Sequence, residues 1–361
     1  MLRHAKEFIE KHEGRLSGIA FVAGFLWDNL TLTRVDRLYD NLLLAAYLAI
    51  AFAGIALLNT HRARGFQSSL ARRVVVVACY SLPFAFGGLF SGLLIFYSRS
   101  GPLLASAPFL LILAAFLFGN EFLRKHYQRF VFQMSVFFVA LFSYVALITP
   151  IALGTMGGAV FLLSGIAALA LFWLAVKALS LLAREKVLSS HSTLWTVITC
   201  IFVTLNFLYF NNLIPPVPLS LKSIGAYHAI GRERNGAYSA TFEAPAWYAL
   251  HRDTATVFHR MDREHAAVFS SVYAPAGLVT EVAHRWEYRD EGTGKWLLVN
   301  IIRFPISGGR QEGYRGYSRK ENIQPGRWRV SVETLRGQII GRFTFTVTDA
   351  ATAPLLTEAA L

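Results

Sequence analysis

Long runs without a charged side chain are the feature that most constrains the fold of this chain. Five windows of at least 20 residues contain no Asp, Glu, Lys or Arg: Asn41–Thr60, Val74–Ser98, Ser100–Asn120, Phe130–Val176 and Val187–Leu221. An α-helix needs about 20 mostly apolar residues to cross the hydrocarbon core of a bilayer. The windows therefore predict an α-helical membrane domain with several spans.

Composition supports the same conclusion. Hydrophobic residues make up 54% of the 361 residues and charged residues only 16%, whereas a soluble globular protein carries about 25% charged residues. The 29 Phe, 14 Tyr and 7 Trp residues supply more apolar surface than a solvated, intrinsically disordered chain can carry. Composition therefore excludes both an ordinary cytosolic protein and a disordered one.

Two of the apolar windows are longer than one span. In Phe130–Val176, Thr149-Pro150 and the glycines at positions 154, 157 and 158 predict two helices joined by a turn. In Val187–Leu221, the prolines at positions 215, 216 and 218 end the helix and favour an extended exit. The predicted spans are 16–32, 41–60, 74–98, 101–119, 130–149, 155–176 and 194–212.

The first of these spans has an alternative. Residues 16–32 form a short segment that carries Asp28 and Asn29 near its end, and a re-entrant or interfacial helix would leave six spans instead of seven. A basic segment precedes it, as in a signal peptide, but Trp27-Asp28-Asn29 is a poor cleavage site. We therefore expect about seven spans and a retained N-terminus.

Basic residues are distributed unequally over the predicted loops. With seven spans, 14 Lys and Arg residues fall on the side of the N-terminus and 3 on the opposite side. Because cytoplasmic loops are rich in Lys and Arg, we expect a cytoplasmic N-terminus and an external C-terminal part. With six spans the counts become 10 and 7, and the C-terminal part is still predicted to be external.

The positive charge of the chain is mainly a topology signal. Residues 1–221 carry 17 basic and 8 acidic side chains, and residues 222–361 carry 18 and 14. Most of the net charge of +13 therefore belongs to the membrane half, and we expect no nucleic-acid partner. Cys79 and Cys200 both lie in predicted spans, so the external domain folds without disulfides or thiolate metal sites.

After residue 221 the apolar runs give way to alternation of apolar and polar residues. Residues 327–333 and 342–348 alternate with a period of two, which is typical of strands with one dry face. Leu335-Arg336-Gly337-Gln338 joins them as a hairpin. Further strands are predicted at 238–242, 266–273, 281–289 and 296–304, and a short amphipathic helix at 254–264.

The predicted fold is an α-helical polytopic membrane bundle followed by a mainly-β, sandwich-like soluble domain. Several short strands separated by Gly and Pro turns favour an antiparallel sandwich. We assign the transmembrane domain to residues 1–221, the external β domain to residues 222–350 and a flexible tail to residues 351–361. About 140 residues after the last span suffice for one compact core.

Several sequence segments resemble one bacterial family. They are Asn211–Lys222, Val272-Tyr273-Ala274-Pro275, His284-Arg285-Trp286, the segment from Gly308 to Lys320 and Gly326-x-Trp328-Arg329-Val330, with a looser match at Trp27–Thr31. Together they resemble the domain of unknown function 2914 (DUF2914) family. The resemblance implies an extracytoplasmic module on a multi-span anchor in Gram-negative bacteria, here a periplasmic domain on an inner-membrane anchor. It implies no reaction, ligand or catalytic residue.

The segment from Gly308 to Lys320 is the candidate ligand-binding site. Its four glycines permit tight turns and close approach of a ligand. Basic side chains could donate to phosphate or carboxylate, and tyrosine rings could stack on a sugar or a base. The candidate residues are Arg310, Tyr314, Arg315, Tyr317, Arg319 and Lys320. The alternative is a bulged hairpin whose glycines turn the chain and whose arginines are solvated.

Other chemical motifs are weak. His284 shares a predicted strand face with Trp286, and we expect a core histidine with a hydrogen-bond partner rather than a catalytic base. The histidines at positions 251, 259 and 265 lack a metal-ligand spacing, so no metal or cofactor is predicted. The sequence has no Gly-x-Ser-x-Gly motif of a serine hydrolase.

A second polar group lies at the predicted outer end of the first two spans. It consists of Asp28, Asn29, Asp36 and Asp40, and ionisable groups at membrane depth are costly and often functional. One interpretation is a docking or ion-linked site beneath the external domain. The other is an interfacial loop with local ion pairs, such as Asp36 with Arg34 or Arg37.

These observations favour a non-enzymatic envelope module whose β domain binds an anionic lipid headgroup, a glycan or an envelope protein. The lipid bilayer is the other predicted partner. The alternative is a membrane-embedded enzyme or transporter with an accessory periplasmic domain. The predicted helices have no broken-helix pair of the kind that transporters use, which favours the first interpretation.

Overall fold

The structure is a computed structural model that describes residues 24–64, 69–119, 129–232, 238–247, 249, 253–261 and 264–361. It divides into two compact units. The helical unit contains the described residues up to Phe96 together with Pro108–Thr149 and Ala159–Phe207. The β unit contains Tyr97–Ala107, Pro150–Gly158 and Leu208–Leu361. The β unit therefore includes two short segments that connect helices.

Apolar helices make up the N-terminal part of the described chain. They are α1 (residues 24–31), α2 (Leu38–Arg64), α3 (Ser69–Ser98), α4 (Ala107–Gly119), α5 (Phe130–Leu153), α6 (Gly158–Leu182), α7 (Arg184–Ser189) and α8 (His191–Phe210). Among the described residues, α2, α3, α5, α6 and α8 contain segments long and apolar enough to cross a membrane. The prediction of several apolar helices is therefore confirmed.

Three predicted spans differ from the helices of the structure or lie partly outside the described residues. The segment 101–119 begins with a turn, and α4 contains only 13 residues. For the segment 16–32, only residues from 24 onward are described, and these are helical as far as residue 31. The helix predicted to end at residue 149 continues through Pro150 to Leu153. Pro150 removes one backbone hydrogen bond close to the end of this helix, and the chain reverses after it at Gly154 and Gly157, which have positive φ.

Close packing joins α2 to α3 in the helical unit. A Cβ atom at Gly88 would lie 2.6 Å from the ring of Tyr47, and one at Gly92 would lie 2.7 Å from Leu44. The Gly88-x-x-x-Gly92 pattern therefore brings two helix backbones together, as such patterns do in membrane helices. The amide of Asn59 also donates to the Gln133 side chain at 2.8 Å, which pairs two buried polar groups of α2 and α5.

Strands make up most of the β unit. They are β1 (Ser220–Tyr227), β2 (Ala229–Arg232), β3 (Tyr238–Phe242), β4 (Val257–Arg260), β5 (Ala266–Tyr273), β6 (Val279–Arg289), β7 (Trp296–Ser307), β8 (Tyr314–Lys320), β9 (Gly326–Thr334), β10 (Ile339–Asp349) and β11 (Thr357–Ala360). Sheet 1 has the order β1-β5-β8, sheet 2 has β4-β10-β9-β6-β7 and sheet 3 has β11-β3-β2. The mainly-β character of the C-terminal region is therefore confirmed.

Two cores hold the three sheets together. Trp286 and Phe345 of sheet 2 pack with Val268 of sheet 1 in one core. On the other face of sheet 1, Phe269 packs with Ala240 of sheet 3. All eight residues of β5 are buried, because this strand has a core on each side.

The predicted strands match the structure where apolar and polar residues alternate. The hairpin of β9 and β10 forms as expected, and β3 and β5 have the predicted bounds. The helix predicted at residues 254–264 is wrong, because residues 257–260 form β4. This strand pairs in parallel with the edge of β10, and Phe258 enters the core.

The structure also differs from the prediction at both ends of the β domain. Strand β1 begins at Ser220, two residues before the predicted boundary at residue 222. Within the tail predicted to be flexible, Thr357–Ala360 form β11, which pairs antiparallel with β3. Leu361 packs against the core between sheets 1 and 3. Backbone pairing and one apolar contact thus order a segment whose sequence has no clear alternation.

Candidate functional site

The turn between β7 and β8 packs tightly against the loop that follows β5. The amide of Gly308 donates to the carbonyl of Leu278 at 2.8 Å, and that of Gly309 donates to Ala274 at 3.1 Å. A Cβ atom at Gly308 would lie 1.7 Å from the carbonyl oxygen of Pro275. Two of the segments that carry the family resemblance therefore form one packed substructure.

The end of the same turn is attached to β5. Gly313 has φ of +84°, and a Cβ atom there would lie 2.5 Å from the Ser271 hydroxyl. That hydroxyl donates to the carbonyl of Glu312. The backbone of residues 308–313 is therefore held at both ends, and the side chains it carries project from a fixed support.

Two of the predicted binding residues meet at a cleft beside this turn. Arg310 and Arg315 line it together with Arg232, at the end of β2, and Tyr238, at the start of β3. The cleft has a volume of about 310 Å³ and is open to solvent. Gln311, Glu312 and Gly313 complete its wall. Sheets 1 and 3 thus contribute arginines to one surface.

The cleft carries an excess of positive charge. Three guanidinium groups and one carboxylate, that of Glu312, belong to its lining. Among the described residues, Arg232, Arg310 and Arg315 form no ion pair, whereas nearby Arg319 lies 3.9 Å from Glu321. The guanidinium carbon of Arg310 lies 5.3 Å from the centre of the Tyr314 ring, and that of Arg232 lies 6.0 Å from the Tyr238 ring. Such an arrangement can accept a phosphate or carboxylate group.

Alternation along β8 separates the predicted binding residues. Tyr314 and Ser318 point into the core between sheets 1 and 2. Arg315 and Tyr317 lie on the opposite face, where the ring of Tyr317 contacts that of Tyr238 edge to face at 6.1 Å. Arg319 and Lys320 lie further along the strand and do not line the cleft. The structure therefore groups Arg310 and Arg315, with Tyr314 and Tyr317 beside them.

Sequence reasoning missed Arg232 and Tyr238. They belong to β2 and β3, which are short strands on either side of residues 233–237, and they pair with each other in the ladder. Their distance in sequence from the turn at 308–313 hides their proximity in space. The only available signal was the strand predicted at 238–242, which places Tyr238 at a strand end.

His284 is a core residue, as expected. It is fully buried, and its ring nitrogens lie 2.7 Å from the hydroxyls of Ser270 and Ser318. The indole of Trp286 also donates to Ser318 at 2.9 Å. Burial lowers the pKa of His284 to about 3, so the ring is neutral at ordinary pH and connects sheet 2 to sheet 1.

A second histidine network was not anticipated. The ring of His228 lies 2.7 Å from Glu264 and 3.1 Å from Glu243, and it stacks on Phe258. Burial opposes ionisation of Glu243, but hydrogen bonds from the backbone and ring of His259 and from His228 outweigh it and lower the pKa of Glu243. The network connects His228, between β1 and β2, to His259 of β4 through Glu243. Among the described residues no group of three or more His, Cys, Asp or Glu side chains could hold a metal ion.

The polar group in the helical unit makes contacts of two kinds. Asp28 accepts a hydrogen bond from the hydroxyl of Ser91, on α3, at 2.7 Å. Asp36 forms a two-point ion pair with Arg34 at 3.0 and 2.8 Å, and Asp40 accepts from the amides of residues 33 and 34. Asn29 lies on an exposed part of α1. Asp36 and Asp40 therefore have partners nearby in the sequence, whereas Asp28 contacts another helix.

Comparisons with known proteins identify a family for part of the chain. Residues 279–347 match the model of the family described as "Protein of unknown function (DUF2914)". The match confirms the resemblance predicted from the sequence, and it extends from the start of β6 into β10. It includes Arg310 and Arg315 but not Arg232 or Tyr238. The description assigns no reaction or ligand to the family.

Two other comparisons give no argument about function. No curated protein matches the chain. Among solved structures, the chain is similar to the Pseudomonas fluorescens alkylpurine DNA glycosylase AlkC, whose structure is described as bound to DNA containing an abasic site analog. The two share 12% identity over 87% of this chain and 99% of that one, with a TM-score of 0.22. A TM-score this low supports neither a common fold nor a common function.

Replacing Gly308 tests how firmly the turn is held. We expect Gly308→Ala to lower the free energy of unfolding by about 1–3 kcal/mol, because the new methyl group overlaps a backbone carbonyl. Urea unfolding of the full chain in detergent, followed by tryptophan fluorescence, measures this. Gly292→Ala is the matched control, since the nearest atom to its new methyl group is 3.8 Å away. Equal midpoints for the two variants would contradict the packing.

The buried state of His284 predicts a dependence of stability on pH. The pKa of His284 is about 3 in the folded protein, and an unfolded histidine titrates near about 6.5. Between these values only the unfolded state binds the proton, so the unfolding free energy falls as pH decreases, by at most about 1.4 kcal/mol per pH unit. Urea unfolding at pH 7, 6 and 5 should show a shallower pH dependence for His284→Asn than for the unmodified protein. Parallel dependences would be inconsistent with a neutral buried ring.

Proposed function

We propose that this chain, whose C-terminal region matches the DUF2914 family, is an inner-membrane protein that presents a periplasmic binding module. In this proposal the helices anchor the protein, and the β domain binds an anionic ligand of the envelope in the cleft of Arg232, Arg310 and Arg315. The observation that carries the proposal is the convergence on one cleft of three arginines that form no ion pair among the described residues.

The distribution of basic loop residues supports the location. With seven spans, 14 Lys and Arg residues fall on the N-terminal side and 3 on the other, which favours a cytoplasmic N-terminus. The β domain follows α8 directly in the sequence, and α8 is long and apolar enough to span a bilayer. A periplasmic position for residues 220–361 agrees with both observations.

The chemistry of the cleft supports an anionic ligand with a ring or other flat apolar part. Guanidinium groups bind phosphate and carboxylate through paired hydrogen bonds. The rings of Tyr238 and Tyr317 lie beside the arginines and offer faces or edges for stacking. A phosphorylated or acidic sugar has both features, and the proposed ligand class is therefore an anionic glycan or a headgroup derived from one.

The alternative of a membrane-embedded enzyme or transporter lacks a comparable observation. In the described part of the helical unit, Asp28, Asp36 and Asp40 each accept hydrogen bonds from different groups of the protein. The arginine cleft does converge, and it lies in the β domain. We therefore propose the binding module as the function.

Fusions at residue 361 test the location. We expect a C-terminal fusion to a phosphatase that is active only in the periplasm to show enzyme activity, because the last span is predicted to end outside. The matching fusion to a green fluorescent protein that folds only in the cytoplasm should be dark. A fluorescent cell population with an inactive phosphatase would overturn the proposed orientation.

Arginine variants test the ligand. Full-length protein in detergent is titrated calorimetrically with glucose 6-phosphate, glucuronate and, as the neutral control, glucose. We expect Arg310→Ala and Arg315→Ala each to weaken binding of the two anions by about tenfold, since a charge-assisted hydrogen bond contributes roughly 1.5–3 kcal/mol.

Arg303→Ala provides the matched control, since Arg303 is an exposed arginine of β7 outside the cleft. It should bind like the unmodified protein. Binding that is unchanged in the cleft variants, or that is as strong for glucose as for the anions, would contradict an anionic site at this position.

A further inference from the structure

Arg336 lies against two aromatic rings at the end of α8. It belongs to the turn that joins β9 and β10, and its guanidinium carbon lies 4.7 Å from the centre of the Tyr209 ring and 4.9 Å from that of Phe210. The side-chain amide of Asn212 donates to the backbone carbonyl of Arg336 at 3.0 Å. A Cβ atom at Gly158 would lie 2.5 Å from one terminal nitrogen, so the absence of a side chain there makes room for the guanidinium.

The positive charge of Arg336 lacks an anionic partner in the described protein. The Arg336 side chain forms no ion pair or hydrogen bond with the described residues, and its Nε is buried without an acceptor. The aromatic faces stabilise the cation, but they accept no hydrogen bond in the plane of the guanidinium. Buried donors without an acceptor are uncommon in folded proteins and call for an explanation.

The surroundings of Arg336 differ from those of the arginine cleft. Leu335, the preceding residue, is 56% exposed and Phe210 is 45% exposed. An anion that also has a large apolar part would match both the charge and the exposed apolar side chains.

We propose that Arg336 binds the phosphate of an anionic lipid in the outer leaflet of the membrane, whose apolar part contacts Phe210 and Leu335. The proposal depends on the proposed function, because Phe210 lies at the headgroup layer only if α8 spans the bilayer. Aromatic and basic side chains at the end of a span are typical of that layer. A guanidinium binds two phosphate oxygens at once, and an anionic lipid is preferred because it carries no ammonium group that would repel Arg336.

Native mass spectrometry of the full chain tests this proposal. The protein in detergent is mixed with phosphatidylglycerol or with phosphatidylcholine that has the same acyl chains. It is then released from the detergent in the mass spectrometer, and the fraction of protein with bound lipid is measured for each lipid. We expect the unmodified protein to retain one phosphatidylglycerol with about tenfold preference. Arg336→Gln should remove most of that preference, and Arg336→Lys should keep part of it, because an ammonium keeps the charge but loses the planar paired donors.

The matched control is Arg303→Gln, which removes an exposed arginine of the same domain and should keep the full preference. A further arm adds glycerol 3-phosphate, which has the headgroup chemistry without acyl chains. Displacement of the lipid by an equimolar amount of this compound would show that the site takes a free phosphate rather than a lipid. The proposal is overturned if the unmodified protein shows no preference for phosphatidylglycerol, a result that does not depend on whether any variant folds.

Failure of this test can be distinguished from failure of the proposed function. The orientation of the chain is read from the fusions at residue 361, and the cleft from sugar binding to Arg310 and Arg315 variants. An intact orientation and intact sugar binding without lipid preference would reject the lipid site alone. An inverted orientation would reject both proposals.

Discussion

Burial of β5 on both faces is the constraint on which the β unit depends. Alternate residues of this strand belong to two different cores, with Val268 facing sheet 2 and Phe269 facing sheet 3. A strand that must be apolar on both sides has little freedom of register, because a shift by one residue would exchange its two faces. The same strand holds the candidate site, since Ser271 anchors the turn at Glu312 and β8 pairs along its whole length.

Sequence patterns predicted the elements that alternate clearly or that contain long apolar stretches. Strands β9 and β10 alternate, and the apolar helices contain long stretches without charges, so both were recognisable without a structure. Strand β8 was not recognised, because after Tyr314 its inward face carries Gly316 and Ser318 instead of large apolar residues. A Cβ atom at Gly316 would lie 2.6 Å from the ring of Phe304, and Ser318 pairs with His284. Side chains of the facing sheet fill the space beside β8. The sequence of β8 alone does not show which side chains these are.

The candidate site was predictable only in part for the same reason. Glycines and arginines in one short segment indicated a turn that could bind an anion, and Arg310 and Arg315 do line the cleft. Arg232 and Tyr238 come from sheet 3, whose position over sheet 1 depends on long-range packing such as that of Ala240 against Phe269. The pairing of β11 with β3 was not predicted either, because it depends on backbone hydrogen bonds, which the side-chain composition does not show.

The convergence of arginines, rather than net charge, distinguishes the proposed cleft from the rest of the domain. Arg329 lies 2.5 Å from Glu287, and Arg260 lies 2.5 Å from Asp349, so these side chains serve the fold. The arginines of the cleft and Arg336 have no such carboxylate among the described residues, although strands and packed turns carry them. Exposed ion pairs contribute little to stability, so a fold has little need of a partner for each arginine. Guanidinium groups that have no ion pair among the described residues and that ordered backbone carries are instead suited to anions from outside the chain. The polar cleft then suits a soluble or sugar-bearing anion, and the aromatic environment of Arg336 suits a lipid.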